Sequence, residues 1–437
     1  MQDDGRASRP LFGLPRGAVL VIFVEFWERF SFYGMLAILV LFLRDDPSNG
    51  GFGWDAADAL TLVGTYSACM YGLPWLGGII ADRFIGFRNA ILVGLVLMTA
   101  GHLLMAVPHL IIAATAGPVG DALLAGAPIG ELLPTDTTVL ALGPGAVSVS
   151  LVVGLTFYGA LLCLVVGNML MKSPLIVLMG ELFDEADPKR EAAFSYYYLS
   201  ISVGSLFAGL VIGTLAQSAG WDAGFALAGL GMATALLSYL MLGPRMLGNA
   251  GRGDRVRPAS PVGESQADIA SGANPYAGLI PVFTLGIFLT LFEIGWFQLY
   301  GSWALVIEEQ LDRAVAGFTV PTPWFQSVNA AVVIAITPIA AMLFVRLARR
   351  GRNVGVIEKY AAALFFCAIS QFLMAWVAAG GGTAAALVVV VLAIILVSLG
   401  ELLAWPSTYG MVYSAAPAAW VASVMGAWYL LTLLFPC

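Results

Sequence analysis

Charged side chains are scarce in this sequence. Of the 437 residues, 11% are charged and 60% are hydrophobic, whereas a soluble globular chain carries about 25% charged residues. A larger core cannot account for this shortage, because a soluble protein of any size still needs a polar surface. Lipid must therefore solvate much of the apolar surface, and the composition predicts a membrane protein.

Cysteine and histidine are also rare, with four and two copies in the chain. The cysteines have no CxxC or other metal-binding spacing, and we interpret them as small core residues. His102 and His109 flank Pro108, a pattern more typical of a helix end than of a metal site. We therefore expect no metal, and the absence of a nucleophile–base pair argues against an enzyme. The net charge of −7 argues against nucleic acid as a partner.

Long apolar runs dominate the rest of the chain. Eleven of them are long enough to cross a bilayer as helices, and they are too long for the strands of a membrane barrel. They cover residues 18–43, 60–80, 90–107, 148–182, 192–216, 224–242, 279–307, 324–347, 359–378, 384–412 and 420–437. An all-α membrane protein is the fold class that this pattern predicts.

A polar, glycine- and arginine-rich break divides the apolar runs into two groups. We predict an N-terminal tail at 1–17, a six-helix bundle at 18–243, a flexible linker at 244–276 and a second helix bundle at 277–437. With the N-terminus in the cytoplasm, 16 of the 20 Lys and Arg residues fall on the cytoplasmic side. This distribution satisfies the positive-inside rule and predicts the orientation of the chain.

Ionisable side chains lie inside the predicted spans, where each costs about 2.5–3.5 kcal/mol on insertion scales. Glu25, Glu28 and Arg29 occupy positions i, i+3 and i+4 of the first span, and Tyr33 and Leu36 continue the same helix face. Arg29 therefore neighbours two carboxylates. Such a group can bind an anion when a carboxylate is protonated, because the two compete for one guanidinium.

Further intramembrane charges occur in both halves of the chain. Lys172 lies in the fourth span, Glu293 in the seventh and Glu401 in the tenth. An ion-pair network that only holds the bundle together is one interpretation. Charges in both halves exceed what packing requires, and they favour a functional cavity. The role of Glu293 stays open.

Short runs along most of the chain match a single set of motifs. Residues 25–35 read EFWERFSFYGM, which resembles ExxERFxYYG, and residues 77–86 read GGIIADRFIG, which resembles GGxxADRxxG. Shorter matches are KSP at 172–174, FSYYYLSISVG at 194–204, WFQSVN at 324–329, GELLAWP at 400–406 and MGAWYL at 425–430. From about residue 17 onward, the sequence resembles the proton-dependent oligopeptide transporters of the major facilitator superfamily.

The resemblance implies a major facilitator fold of two six-helix bundles and a proton-coupled symporter that imports di- and tripeptides by alternating access. It implies no cofactor other than the coupling protons, a monomeric state, and a multi-pass position in the lipid bilayer of the bacterial inner membrane. Glu25, Glu28 and Lys172 would couple protonation to binding. The residues implied to bind substrate are Arg29, which would hold the peptide carboxylate, Glu401, which would hold its amino group, and Tyr33, Tyr71, Ser202, Asn329 and Trp428.

The sequence also departs from the family pattern. Phe32 and Ser202 replace a usual Tyr and Asn, and Trp405 replaces a small Ser, which should narrow the pocket. A carrier of another small solute is therefore an alternative, as is a non-transporting receptor that keeps the fold. The retained titratable residues argue against the receptor. The chain also stops at Cys437 before a twelfth helix, and we expect the natural gene to encode one.

An outer gate is a further point of difference. The family commonly pairs an Arg of the first span with an acid of the seventh, and both are replaced here. Loss of both partners is often neutral, whereas loss of one leaves a buried charge that costs about 3–5 kcal/mol. We therefore predict an outer gate at Leu36, Gln298 and Leu299, closed by an apolar contact between the two leucines.

Overall fold

The computed structural model describes residues 13–46, 49–108, 139–140, 147–183, 187, 189–252, 279–352, 354–381 and 386–415. Helix accounts for nearly all of this length, because a helix satisfies every interior backbone group within one segment. The α-helices are α1 (Arg16–Arg44), α2 (Ala56–Gly72), α3 (Pro74–Ile80), α4 (Phe87–Met105), α5 (Val149–Glu181), α6 (Lys189–Phe207), α7 (Gly213–Ala219), α8 (Trp221–Met246), α9 (Leu279–Phe297), α10 (Ser302–Gln310), α11 (Thr322–Arg349), α12 (Val356–Ala378) and α13 (Ala386–Ala415).

Short non-α elements connect several of these helices. π-helices at Ala81–Ile85 and Ala208–Ile212 continue α3 and α6, and a 3₁₀ turn at Gln298–Tyr300 follows α9. Two antiparallel pairs of two-residue strands complete the described elements. They are β1 (Val139–Leu140) with β2 (Val147–Ser148), and β3 (Ala314–Val315) with β4 (Phe318–Thr319).

Nine helical stretches within the described residues are long and apolar enough to cross a membrane. The second predicted span, 60–80, is helical but breaks at Leu73, so that α2 has 17 residues and α3 has seven. Pro74 begins α3, since its ring and missing N–H are tolerated in a first helical turn but not in an interior one. The eleventh predicted span, 420–437, lies outside the described residues. The prediction of a helical membrane protein is confirmed.

The described residues form two compact units. The first contains those of Met1–Ala59 and Leu73–Arg255, and the second contains those of Leu60–Gly72 and Val256–Cys437. In the first unit α1 packs against α6 and α8, and α4 packs against α5 and α8. In the second unit α13 packs against α11 and α12, and α9 packs against α12 and α13.

Most of α2 belongs to the second unit. Tyr71, near the end of this helix, makes an edge-to-face contact with Phe297, with ring centroids 5.4 Å apart. A Cβ added at Gly301 would lie 3.2 Å from a methyl carbon of Leu60. Apolar and aromatic contacts therefore hold this part of α2, and such edge-to-face pairs contribute beyond their buried area.

Helix α1 is the most enclosed of the spanning helices described. Of its apolar window, 83% is buried within the protein, compared with 17% for α11. Small residues on its neighbours allow this enclosure. A Cβ at Gly204 of α6 would lie 2.8 Å from the carbonyl oxygen of Phe26 and 3.1 Å from the Cβ of Arg29. Gly204 therefore lets α6 approach α1 at the level of its charged residues.

Glycines also bring α4 and α5 together. A Cβ at Gly167 would lie 2.6 Å from the Cγ of Met98 and 2.8 Å from the carbonyl oxygen of Gly94. Two of the three nearest atoms are backbone atoms, which cannot rotate away. Close backbone approach through small residues is a common basis of helix association in membranes, where lipid removes the hydrophobic drive between helices.

Gly167→Ala is expected to destabilise the protein by about 1–3 kcal/mol, the usual cost of overpacking. Gly159→Ala provides a matched control in the same helix, because a Cβ at Gly159 meets nothing within 4 Å. The measurement is thermal unfolding of both variants in detergent. Gly167→Ala should lower the apparent Tm, whereas Gly159→Ala should leave it unchanged or raise it slightly. Equal melting of the two variants would contradict the tight packing of α4 on α5.

Candidate functional site

A buried ion-pair network lies within the first unit. Glu25 and Glu28 are fully buried, and Arg29 is 5% exposed. The Arg29 guanidinium donates from Nε to Oε2 of Glu28 and from Nη2 to Oε1, both at 2.5 Å. Its Nε also lies 3.6 Å from Oε1 of Glu25. The predicted neighbourhood of one arginine and two carboxylates on α1 is therefore present, and its main contact is a bidentate fork.

Two further helices complete this network. Lys172 of α5 donates through Nζ to Oε1 of Glu25, and the same Nζ lies 3.6 Å from Oε2 of Glu28. Tyr197 of α6 donates its hydroxyl to the other Glu25 oxygen, Oε2, at 2.6 Å. Both oxygens of Glu25 thus have partners from outside α1. Desolvation of four charges is compensated by mutual attraction and hydrogen bonds, which is the condition under which buried ions are tolerated.

Aromatic rings cover the Arg29 guanidinium. Its Cζ lies 4.7 Å from the centroid of the Phe32 ring and 5.5 Å from that of Tyr33. A guanidinium within about 6 Å of a ring centroid is attracted by the ring quadrupole, the more so when water is excluded. Tyr33 is therefore placed beside Arg29, and Phe32 keeps the ring contact although it lacks the hydroxyl of the family's tyrosine.

The network has two acids and two bases, so that its formal charge is zero when all four groups are ionised. Protonation of one carboxylate would leave a net positive charge in a buried site. A substrate carboxylate could then replace the lost partner of Arg29, because a guanidinium fork binds carboxylates of either origin. Chemically, the arrangement can link uptake of a proton to binding of an anion.

The second unit contains a separate polar cluster around Glu401 of α13. Its Oε2 accepts hydrogen bonds from Trp296 Nε1 of α9 and from Asn329 Nδ2 of α11, each at 2.9 Å. The same Asn329 amide nitrogen donates to Ser398 Oγ at 2.9 Å. The structure therefore brings together Asn329 and Glu401, two of the predicted site residues, on different helices of one unit.

Glu293 of α9 lies in the same unit and has a different environment. The side chain is 5% exposed, and Oε1 has no hydrogen-bond partner. The charged group that acts on it electrostatically is Glu401. A buried carboxylate without a cation or a donor at one oxygen is unusual, because burial strongly disfavours its charged form.

The structure shows the burial or the hydrogen bonds of most of the remaining predicted site residues. Ser202 is half-buried in α6, and Leu36 and Leu299 are buried. Gln298 donates to the carbonyl of Ile294 at 3.0 Å and accepts from Ser302 Oγ at 2.6 Å. Trp428 lies outside the described residues. The assignments to substrate binding and to the outer gate stay predictions.

The sequence interpretation missed several members of these clusters. The sequence analysis gives no role to Tyr197 or Trp296, yet Tyr197 donates to Glu25 and Trp296 donates to Glu401. His102, interpreted as a helix-end residue, is fully buried in the last turn of α4, and neither ring nitrogen has a hydrogen-bond partner. Its electrostatic neighbour is Glu28. For all three residues, the signal available in the sequence was a polar aromatic side chain within a predicted spanning helix.

The fold and the buried charges define a polytopic helical membrane transporter, and the comparisons with known proteins agree. The chain is 26% identical to a crystallised peptide transporter POT in complex with sulfate, with a TM-score of 0.76 over 98% of this chain and 88% of that one. That likeness establishes the predicted major facilitator fold. The sequence model of the POT family matches residues 88–260 and 276–436. The chain therefore belongs to the POT family of peptide transporters.

Curated relatives match along almost the whole chain. The uncharacterized transporter YclF of Bacillus subtilis (strain 168) is 28% identical over 470 residues, which cover 97% of this chain and 86% of that protein. A di-/tripeptide transporter of Lactococcus lactis subsp. cremoris is 25% identical over 495 residues, with 98% and 89% covered. Both relatives are bacterial transporters rather than enzymes, in line with the expectation from the sequence.

Proposed function

We propose that this protein is a proton-coupled symporter that imports di- and tripeptides across the bacterial inner membrane by alternating access, with its N-terminus in the cytoplasm. The observation that carries the proposal is that each unit contains a polar cluster, and that the two clusters suit ligand groups of opposite charge. One unit offers a guanidinium shared by two carboxylates, and the other offers a carboxylate held by neutral donors. A zwitterionic peptide has one end that suits each cluster.

In this proposal, the ion-pair network of the first unit couples proton uptake to substrate binding. A proton that enters at Glu28 removes the charge that holds Arg29, and the peptide carboxylate takes its place in the guanidinium fork. Glu25 remains paired with Lys172 and Tyr197 throughout, so that the rest of the network stays ordered. Proton and carboxylate then bind together with positive cooperativity, since each favours the other thermodynamically.

The Glu401 cluster would receive the peptide ammonium. Trp296 and Asn329 donate to only one of its two carboxylate oxygens, Oε2. These donors also stabilise the ionised form of Glu401, because hydrogen bonding to a charged group favours that state. Trp296 and Asn329, which carry no charge themselves, therefore favour the anionic form of Glu401 that a cation would bind.

The role of Glu401 can be tested with peptides whose amino group is blocked. Blocking is expected to weaken binding at least tenfold in the parent protein, and to have little effect in Glu401→Gln, where the charge partner is already absent. Binding to the purified protein gives both affinities. Equal sensitivity of the two proteins would remove Glu401 from this role.

Transport itself is tested by acid-driven uptake of labelled dipeptides into proteoliposomes, with amino acids and other small solutes as competitors. The proposal requires saturable dipeptide uptake that depends on the proton gradient. Trp405, where the family has a small residue, favours a narrowed pocket. If a smaller solute is taken up and dipeptides are not, that solute is the substrate instead of peptides. The proposal of a proton-coupled carrier would still hold.

A further inference from the structure

Helix α6 carries three consecutive tyrosines, and only the middle one is buried. Tyr197 is 6% exposed, whereas Tyr196 and Tyr198 are 53% and 39% exposed. Gly204, which packs against Arg29 of α1, follows Tyr197 by seven residues, which is about two helical turns. The two residues therefore share one face of α6, and this face brings the Tyr197 hydroxyl to the charged part of α1.

This hydroxyl is the donor to one oxygen of Glu25. Among the described residues, Oε2 of Glu25 accepts a hydrogen bond from Tyr197 alone, at 2.6 Å. The other oxygen, Oε1, accepts from Lys172 and lies 3.6 Å from Nε of Arg29. Because Glu25 is fully buried, removal of the hydroxyl would leave Oε2 buried without a donor.

Four titratable groups surround Glu25. They are Glu28 and Arg29 of α1, Lys172 of α5 and Tyr197 of α6. The buried His102 of α4 is a further electrostatic neighbour of Glu28. The other titratable side chains described on the helices that pack on α1 are Lys189, Arg190, Tyr196 and Tyr198 of α6, Tyr158, Cys163 and Glu181 of α5, and Asp222, Tyr239 and Arg245 of α8. The π-helix at Ala208–Ile212 and α7, which also pack on α1, contain no titratable residue. Tyr197 thus adds a hydrogen bond to the network without adding a charge.

The donors decide which carboxylate takes up the coupling proton. When a peptide carboxylate occupies the Arg29 fork, Glu28 loses both of its hydrogen bonds and is left with Nζ of Lys172, 3.6 Å away. Glu25 keeps the hydrogen bonds of Lys172 and Tyr197, which favour its charged form. A buried carboxylate without donors is the costlier anion, so the proton goes to Glu28. Without the Tyr197 hydroxyl, Glu25 would compete for this proton and the pair would share it.

We propose that Tyr197 is a positioning residue of the coupling site, whose hydroxyl keeps Glu25 ionised and so directs the coupling proton to Glu28. The proposal rests on the proposed function, in which protonation of Glu28 frees Arg29 for the peptide carboxylate. It adds that the two carboxylates of α1 are not equivalent, because a neutral hydroxyl from another helix holds one of them as the anion.

Infrared spectroscopy of the substrate-free protein tests the effect of Tyr197 on Glu25 without any transport. The Glu28→Gln variant leaves Glu25 as the one carboxylate of the network. Its protonated form has a carbonyl stretch, identified as the band that is lost when Glu25→Gln is added. In Glu28→Gln/Tyr197→Phe this band should appear at a pH about one to two units higher, because the anion has lost a hydrogen bond.

Tyr196→Phe in the Glu28→Gln background is the matched control for this titration. It removes a hydroxyl from the adjacent residue of the same helix, whose side chain is 53% exposed, and it should leave the band where it is. Identical titrations of Glu28→Gln and Glu28→Gln/Tyr197→Phe would overturn the proposal whatever the protein transports.

Uptake by the same variants in proteoliposomes tests where the coupling proton goes. Glu28→Gln is expected to lose proton-driven accumulation of dipeptide, and the addition of Tyr197→Phe should restore part of it, because Glu25 can then take the proton. The addition of Tyr196→Phe should restore nothing. Counterflow exchange shows that each variant is folded and binds peptide. A hydroxyl that only supported the fold would make the double variant worse than Glu28→Gln, so a further loss, or no recovery, would overturn the proposal.

The two measurements separate the failure of this proposal from that of the proposed function. If the parent protein neither binds nor transports dipeptides, the proposed substrate is wrong, and the infrared titration alone decides whether Tyr197 keeps Glu25 ionised. If the parent transports dipeptides without any dependence on the proton gradient, the proposed coupling is wrong, and the role of Tyr197 in directing the proton is overturned with it.

Discussion

Glu28→Gln is expected to abolish uphill, proton-driven accumulation of peptide while leaving counterflow exchange measurable. The carboxylate of Glu28 is fully buried and forms both arms of the fork with Arg29. The amide of glutamine cannot gain or lose a proton at physiological pH, and it holds the guanidinium less strongly than a carboxylate does. The site can therefore still bind peptide, but the membrane potential, which contributes about 2.3 kcal/mol per charge per 100 mV, no longer drives a coupled step.

The measurement compares accumulation under a proton gradient with exchange at equal pH in the same proteoliposomes. Glu309→Gln is the matched control, because it neutralises an exposed carboxylate at the end of α10. It should accumulate peptide as the parent does. Normal accumulation by Glu28→Gln at low external pH would remove Glu28 from the coupling mechanism, and loss of exchange as well would point to a structural role.

Arg29→Lys is expected to weaken binding of peptides with a free carboxylate by about tenfold to a hundredfold. Lysine keeps the charge but loses the planar fork, and a hydrogen bond to a charged group contributes about 1.5–3 kcal/mol. The variant also loses stacking on Phe32 and Tyr33, which lie 4.7 and 5.5 Å from the guanidinium carbon.

Binding of a free and of an amidated dipeptide to the purified variant checks this expectation. The loss should be large for the free peptide and small for the peptide whose carboxylate is amidated. Arg44→Lys serves as a control in the same helix, since Arg44 lies at its far end and donates to the carbonyl of Trp54. An equal loss for both peptides would show that Arg29 supports the fold rather than the carboxylate.

The parts of the site that the sequence predicted are those that depend on local geometry. Glu25, Glu28 and Arg29 share one face of α1 because the helical period places them there, and no knowledge of the fold was needed. The contact of Lys172 with Glu25 joins residues 147 positions apart. Only the resemblance to a known family placed those two residues in one role.

What the sequence could not supply is the identity of the neutral partners. Tyr197 and Trp296 are aromatic residues in apolar helices, where packing and hydrogen bonding give the same sequence pattern. The break at Leu73 was missed for a related reason, since a run of apolar residues continues through Pro74 although the helix ends and restarts there. Tertiary contacts determine these hydrogen bonds and this helix break, and hydrophobic periodicity does not indicate tertiary contacts.

The ion pairs of α1 also have a consequence for biosynthesis. Three ionisable residues near the middle of one span disfavour its insertion by about 8–10 kcal/mol, at 2.5–3.5 kcal/mol each. Their partners Lys172 and Tyr197 follow Glu25 by 147 and 172 residues, which a ribosome needs about 7–35 s to add. During that interval α1 has no partner for its excess negative charge. Helix α1 is therefore expected to stay beside the insertion machinery until α5 and α6 emerge, and a nascent chain that ends before Lys172 is expected to be a target for quality-control proteases.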